Sequence, residues 1–181
     1  MHVLGLSGSL RSRSYNTQLL HAAAEMLPAG TRFTVADLSQ IPLYNGDYED
    51  EKRPESVRAL RASIAAADAL LIASPEYNYS VPGVLKNAID WVSRGMDQPL
   101  RGKPVAIMGA TQGLWGTARM QVHLRQLLTA LDMFVLNKPE VLVAQVRNKF
   151  DEQGRLVDEQ TRTIVRQQME ALVALTHLVH D

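Results

Sequence analysis

Short apolar runs recur along the chain and predict the strands of a buried sheet. Their residues are almost all apolar, without the polar and apolar alternation that marks a half-exposed strand. Such runs are typical of strands covered by helices on both faces, as in a parallel sheet. The runs are residues 3–6, 33–36, 69–73, 105–108 and 141–143.

A segment with helical periodicity follows each run, and the five segments predict five amphipathic helices. Their apolar residues recur three and four positions apart, which places them on one face of a helix. Pro54, ahead of the second segment, suits a first helical turn. The apolar stripes are Leu20, Ala23 and Leu27; Val57, Leu60, Ile64 and Ala67; Val84, Leu85, Ala88, Trp91 and Val92; Met120, Leu124, Leu127, Leu128 and Leu131; and Val165, Met169, Leu172 and Val173.

The alternation of strands and helices predicts an α/β fold built from βαβ units. Five strands favour a flavodoxin-like doubly wound sandwich over the six-stranded dinucleotide fold. We expect a five-stranded parallel sheet in the order 2-1-3-4-5 with helices on both faces. No linker-like stretch or internal repeat interrupts residues 1–181, which predicts a single domain. In either fold ligands bind beyond the carboxyl ends of the strands, so functional residues are expected in the loops that follow them.

The charge balance and the absence of cysteine narrow the chemistry. The chain has 19 Lys and Arg residues against 19 Asp and Glu, a net charge of +0, which predicts neither a nucleic-acid nor a membrane partner. It has no Cys, which excludes thiolate chemistry, so any redox reaction depends on a bound cofactor. The histidines lack H-E-x-x-H spacing, and no metal is expected.

The amino-terminal residues and the longest apolar run indicate where in the cell the protein is expected. The first nine residues, MHVLGLSGS, lack the basic and long apolar regions of a signal peptide. The longest apolar run, residues 65–73, is interrupted by Asp68 and is far shorter than the ~20 residues of a membrane span. We therefore expect a cytoplasmic protein.

The loop after the first predicted strand is rich in hydrogen-bond donors. Residues 7–16 read SGSLRSRSYN and lead into the first predicted helix. Backbone N–H groups at a helix amino end, together with hydroxyls and Arg11, suit a phosphate group. The segment has neither the P-loop pattern nor G-x-G-x-x-G. It is therefore either a phosphate cradle of another kind or a flexible surface loop.

The loops after the third and fourth predicted strands suit a planar ligand. Residues 74–83 read SPEYNYSVPG; two prolines stiffen this loop, and Tyr77 and Tyr79 offer flat rings. Either ring alone also fits a cap on the sheet edge. Residues 109–117 read GATQGLWGT, and their glycines permit close approach of the backbone to a ligand. Trp115 in this loop fits a wall of the site and a subunit contact equally well.

Three motifs resemble those of the NADPH-dependent FMN reductase family, which includes quinone, chromate and azo-dye reductases of flavodoxin-like fold. They are residues 8–11 with 14–16, residues 75–91, and the glycine-rich third loop with Arg119 and residues 123–125. The second motif, PEYNYSVPGVLKNAIDW, is highly specific, and together the motifs span most of the chain. Two positions depart from the pattern, because the family often has glycine where this chain has Arg13 and Thr117.

The resemblance implies bound FMN as the cofactor and NADPH or NADH as the electron donor. Hydride would pass by way of flavin N5 to quinones or similar small acceptors (chromate, azo or nitro compounds, free flavin), with no catalytic side chain. The residues implied in cofactor binding are Ser9, Arg11, Ser14 and Asn16 at the phosphate, Tyr15 in the same motif, and Pro75, Glu76, Tyr77, Asn78, Thr111, Gln112 and Gly113 along the ring. The implied substrate pocket contains Tyr44, Tyr79 and Trp115.

The resemblance also implies a homodimer or homotetramer with flavin sites near the subunit interfaces. The segment 44–53, which carries Asp47, Glu49, Asp50 and Glu51, is then either a solvated loop or an arm that reaches across a dimer. Two other functions compete with the reductase. One is a flavodoxin-type electron carrier, which the zero net charge disfavours, and the other is a module that binds a different phosphorylated ligand.

Overall fold

The computed structural model describes residues 1–49 and 52–180 and alternates strands with helices throughout. The strands are β1 (His2–Ser7), β2 (Arg32–Ala36), β3 (Ala69–Ala73), β4 (Pro104–Ala110), β5 (Phe134–Val135) and β6 (Val141–Val143). The helices are α1 (Tyr15–Ala24), α2 (Glu55–Ala65), α3 (Gly83–Val92), α4 (Ala118–Ala130) and α5 (Glu159–His180). All five predicted strands and all five predicted helices are present.

The sheet is parallel, and its order β2-β1-β3-β4-β5 confirms the predicted flavodoxin-like order. The fifth position differs from the prediction because two short segments share it. β5 pairs with the start of β4, where Pro104 faces Phe134, and β6 pairs with its end, where Met108 faces Val141. β5 is two residues long, too short to produce a recognisable apolar run.

Two apolar cores lie on the two faces of the sheet. One contains residues of α1 and α5, and the other contains residues of α2, α3 and α4. Adjacent residues of one strand point into opposite cores, since Leu71 belongs to the first core and Leu70 to the second. The central strands are therefore covered on both faces, and a ligand reaches them only at their ends.

The last helix illustrates how the apolar stripes are used. α5 extends over 22 residues and buries Val165, Met169 and Leu172 against the sheet. Its opposite side is polar, as expected for a helix at the surface of an α/β sandwich. Within residues 1–49 and 52–180, no helix has the length and apolar character needed to cross a bilayer.

Candidate cofactor site

Three loops meet at the carboxyl ends of β1, β3 and β4 and enclose a cleft of about 190 Å³. This is the edge of a doubly wound sheet at which ligands bind. The lining residues are Ser9, Arg11, Ser14, Tyr15, Asn16, Pro75, Glu76, Tyr77, Ala110, Thr111 and Gln112. All of them except Ala110 are predicted cofactor-binding residues. The other two predicted residues, Asn78 and Gly113, lie in the same loops outside this lining.

A second cleft of about 380 Å³ adjoins the first and extends it toward α3. The two share Ser9, Arg11 and Tyr77, and the second also reaches Gly83 and Val84 at the start of α3. The second cleft alone reaches the size of a small-molecule site, for which volumes of roughly 300–1,000 Å³ are typical. The combined groove thus runs from the β1–α1 loop past the β3–α3 loop.

The β1–α1 loop is folded tightly at one end of the groove. The Gly8 N–H donates to the Ala73 carbonyl at 2.9 Å, and a Cβ on Gly8 would lie 2.2 Å from Ser74 Oγ. Ser14 caps α1, since its side chain accepts from the Thr17 N–H. The first N–H groups of α1 have no partner within the helix. Together with Arg11 they form a concentration of hydrogen-bond donors at this end.

Asn16 links α1 to the end of β4. Its Nδ2 donates to the Ala110 carbonyl at 3.0 Å, and its Oδ1 accepts from the Ala110 N–H at 2.9 Å. The side-chain amide is therefore engaged within the protein, while the residue keeps its place in the first turn of α1 and lines the cleft. A role for Asn16 in phosphate binding stays a prediction, and its backbone is the better placed donor.

The β3–α3 loop contains a two-residue turn with unusual backbone angles. Tyr77 and Ser80 exchange N–H to carbonyl hydrogen bonds at 3.2 and 3.0 Å, and Asn78 and Tyr79 between them have φ of +49° and +68°. Both angles fall in the left-handed region, which Asn tolerates and which is costly for Tyr. Strain of this kind is concentrated at functional sites.

Glu76 ties this loop to the start of α4. Its carboxylate accepts from the backbone N–H groups of Arg119 and Met120, each at 3.1 Å, and from Arg119 Nε at 2.6 Å. A carboxylate at a helix amino end satisfies free N–H donors and interacts favourably with the helix dipole. The side chain of Glu76 is only 9% exposed. It thus fixes two of the three loops relative to each other.

Arg119 lies beside the groove, and the sequence motifs that contain it suggested no role for it. Its guanidinium stacks 3.7 Å from the centre of the Tyr79 ring and 5.8 Å from the centre of the Trp115 ring, distances typical of cation–π contacts. It also pairs with Glu76. Glu76, Tyr79, Trp115 and Arg119 form a cluster at the rim of the groove, which no spacing in the sequence indicates because its members come from two loops and the first turn of α4.

The β4–α4 loop passes close to two neighbouring segments. A Cβ on Gly109 would lie 1.9 Å from Thr117 Oγ1, so only glycine fits there. Thr117 itself has φ of +69°, a conformation that favours glycine, at one of the two positions where the family often has that residue. Gln112 accepts from Arg147 at 2.9 and 3.1 Å. These contacts define the backbone path beside the cleft.

The three residues predicted for the substrate pocket occupy two separate places. Tyr79 and Trp115 are exposed and flank Arg119 at the rim. Tyr44 lies against α3, where its N–H donates to Asn87 Oδ1 at 2.8 Å and its ring packs edge-on against Trp91 at 5.1 Å. None of the three lines either cleft.

The acidic segment near Tyr44 is partly described. Tyr44 donates its hydroxyl to the Glu49 carboxylate, and this bond raises the pKa of Tyr44 above its usual value. Asp47 is exposed. Asp50 and Glu51 lie outside the described residues. Across residues 1–49 and 52–180, no group of His, Cys, Asp and Glu side chains is arranged to hold a metal ion.

Known proteins resemble the chain over nearly its whole length. Residues 1–148 match the model of the NADPH-dependent FMN reductase family. An NAD(P)H-dependent FMN reductase of Pseudomonas aeruginosa is 55% identical over 170 residues, which cover 94% of this chain and 92% of that protein. A quinone reductase of Escherichia coli is 46% identical over 164 residues, 89% of this chain and 87% of that protein.

A solved structure agrees with these matches. The flavoenzyme FerB of Paracoccus denitrificans, an NAD(P)H:(acceptor) oxidoreductase, superposes with a TM-score of 0.89 at 32% identity and covers 98% of this chain and 97% of its own. The family match, the relatives and the sheet order agree with the resemblance found in the loop motifs. The chain belongs to the NADPH-dependent FMN reductase family.

Proposed function

We propose that this chain, as an FMN-dependent NAD(P)H reductase, holds FMN in the groove at the carboxyl ends of β1, β3 and β4 and reduces quinones with electrons from NADPH or NADH. Family membership gives the class of enzyme and its cofactor. One observation carries the location, namely that ten predicted cofactor residues from three loops line a single cleft. Residues 1–181 would form one FMN-binding domain.

The donor set at the β1–α1 loop fits the phosphate of FMN. A phosphate monoester needs several convergent donors, and charge-assisted hydrogen bonds supply most of the binding energy. Here Ser9, Arg11, Ser14, Tyr15 and Asn16 border one cleft, and together they offer two hydroxyls, a guanidinium and the N–H groups of the first turn of α1. The close approach of Gly8 to Ser74 supports a fixed loop over a flexible one. We assign the phosphate to these five lining residues.

The other two loops fit the ring. Pro75, Glu76 and Tyr77 line the cleft from one loop, and Thr111 and Gln112 line it from the other. We assign Asn78 and Gly113, which lie beside them in the same loops, to the ring as well. When bound, FMN supplies hydride acceptance and donation, so the protein needs no nucleophile of its own. The residues of the chain hold and orient the cofactor, and Glu76 does so by fixing the loops relative to each other. The half-exposed Tyr77 at the cleft leaves room for a second planar molecule.

The acceptor site is proposed at the rim. Tyr79 and Trp115 present exposed rings beside the groove, and flat rings favour flat acceptors such as quinones. The relative named quinone reductase supports this substrate class. Chromate, azo or nitro compounds and free flavin remain in the proposed range, because a stacking platform discriminates weakly. Tyr44 belongs to this site only if a second subunit brings it there.

We propose a cytoplasmic homodimer or homotetramer in which the segment 44–53 contributes to an interface. Leu43, next to this segment, is 85% exposed, and Tyr48 is 52% exposed, so both side chains offer apolar area to a partner. Light scattering of the purified protein tests the assembly, and a monomer at micromolar concentration would contradict it.

Steady-state turnover tests the function. We expect NADPH oxidation that depends on 1,4-benzoquinone, with parallel double-reciprocal lines, because donor and acceptor alternate at one site. A flavodoxin-type carrier or a simple binding module would bind ligand without such turnover. The zero net charge and the names of the relatives disfavour the carrier. Absence of acceptor-dependent NADPH oxidation by the FMN-loaded protein would overturn the proposal.

A further inference from the structure

A third cleft, of about 430 Å³, lies on the far side of the β1–α1 loop. It is bounded by that loop on one side and by the end of β2 with the residues that follow it on the other. Ser9 and Arg11 line this cleft as well as the groove assigned to FMN. The proposed phosphate site therefore borders the third cleft as well as the groove, and a ligand held there by a phosphate adjoins both.

Asp37, directly after β2, lines this cleft. Its oxygens accept from the Ser39 N–H at 2.8 Å and from the Ser39 hydroxyl at 2.9 Å, bonds that lower the pKa of Asp37. Each carboxylate oxygen can accept a further bond. In doubly wound dinucleotide folds an acidic residue about 20 positions after the phosphate turn accepts from a ribose hydroxyl. Asp37 has the equivalent position in this sheet.

Apolar side chains line the same cleft. Leu10 is 58% exposed and Val35 is 38% exposed, although Val35 lies in a strand. Exposed apolar side chains that line a concave surface are typical of a ligand site. The cleft thus combines a cation shared with the phosphate site, an acceptor suited to a ribose hydroxyl, and apolar walls suited to a base.

We propose that this cleft binds the adenosine monophosphate half of a dinucleotide, with Asp37 accepting from a ribose hydroxyl and Leu10 and Val35 contacting the adenine. Arg11, which borders both clefts, then lies beside the two phosphates that join the halves of the dinucleotide. The inference rests on the proposed function for the phosphate site alone. Two molecules contain this adenosine monophosphate half: FAD, which would bind in place of FMN, and the NAD(P)H donor. The phosphate, ribose and adenine that the cleft would contact are the same in both.

Calorimetric titration of the apoprotein with FMN and with FAD tests whether the adenosine half of FAD occupies the cleft. Val35→Trp fills the cleft and Asp37→Ala removes the acceptor, so each should lower the ratio of FAD affinity to FMN affinity at least about tenfold. Leu178→Trp is the matched control, because Leu178 is likewise an exposed apolar residue, near the end of α5, and lines none of the clefts described above. That variant should keep the wild-type ratio.

Steady-state kinetics with the FMN-loaded protein test whether the adenosine half of the NAD(P)H donor occupies the cleft. If the donor occupies the cleft, Val35→Trp raises the KM for NADH and leaves the KM for reduced nicotinamide mononucleotide, which lacks the adenosine half, at the wild-type value. A change in either experiment supports the inference. An unchanged affinity ratio together with an unchanged KM for NADH overturns it, while failure of the wild-type apoprotein to bind FMN overturns the proposed function instead.

Discussion

Arg11 is the residue on which phosphate binding depends most. It is exposed and borders every cleft at the β1–α1 loop. Charge-assisted hydrogen bonds contribute about 1.5–3 kcal/mol each, and solvent screening favours the lower end for an exposed group. We expect Arg11→Ala to raise the Kd for FMN about tenfold, measured by fluorescence quenching of the flavin.

A neighbouring arginine provides the matched control for this prediction. Arg13 is also exposed and lies two residues further along the same loop, but it lines none of the clefts described above. Arg13→Ala should therefore bind FMN with nearly wild-type affinity. Equal loss of affinity in both variants would mean that net charge of the loop, and not a contact made by Arg11, attracts the phosphate.

The amino end of α4 depends on an acceptor from another loop. Thr117, the residue before α4, makes no side-chain cap, and Glu76 satisfies the N–H groups of Arg119 and Met120 instead. Loss of a helix cap costs about 0.5–2 kcal/mol. Glu76→Ala should lower the free energy of unfolding by about that amount in urea denaturation, and Glu76→Gln, which keeps one acceptor oxygen, should lower it less.

FMN affinity distinguishes two roles of Glu76, a helix cap and a direct contact of the cofactor. If Glu76 acts by fixing the loops, FMN affinity should fall in Glu76→Ala and recover largely in Glu76→Gln. A variant with unchanged stability and strongly reduced FMN affinity would instead identify Glu76 as a direct contact of the cofactor, and the structural role argued here would be wrong.

The start of α5 gives a prediction for pH dependence. Asp158 accepts from the hydroxyl and the N–H of Thr161, and these bonds lower its pKa below the usual 3.8. A carboxylate with a lowered folded-state pKa stabilises the protein above its unfolded pKa and loses that contribution as pH falls through the folded value. Asp158→Asn, which keeps a cap without the charge, should be less stable than wild type at and above about pH 5, by less than about 1 kcal/mol.

Equilibrium unfolding across pH measures this difference. It should close as the pH falls below 3.8, since the wild-type carboxyl becomes protonated. A difference that persists unchanged at low pH would show that the amide disturbs packing, and that the charge of Asp158 contributes nothing.

The elements were predictable where burial alone determines them. Leu70 to Ile72 are buried on both faces of the sheet, and Met120, Leu124 and Leu128 are buried along one side of α4, so their spacing carries the signal. β5 lacked such a signal because it has two residues. The loop motifs contain ten of the residues that line the cleft, but Asn16 to Ala110 and Glu76 to Arg119 pair across 94 and 43 residues. Nothing in local sequence encodes such contacts.

At the scale of the whole molecule, the topology explains why separate loops make one site. A parallel sheet directs the carboxyl ends of β1, β3 and β4 to the same edge, and helices cover both faces. Strand order then decides which loops are neighbours. The balanced charge of the chain provides no long-range attraction for the cofactor, so affinity has to come from contacts within the groove.

Calorimetric titration of the apoprotein with FMN tests the central claim most directly. We expect saturable binding of one FMN per chain, and a rise in the unfolding temperature at saturation, because a ligand that binds only the folded state stabilises it. Neither heat of binding nor a change in unfolding temperature with excess FMN would contradict the claim that the three loops form a cofactor site.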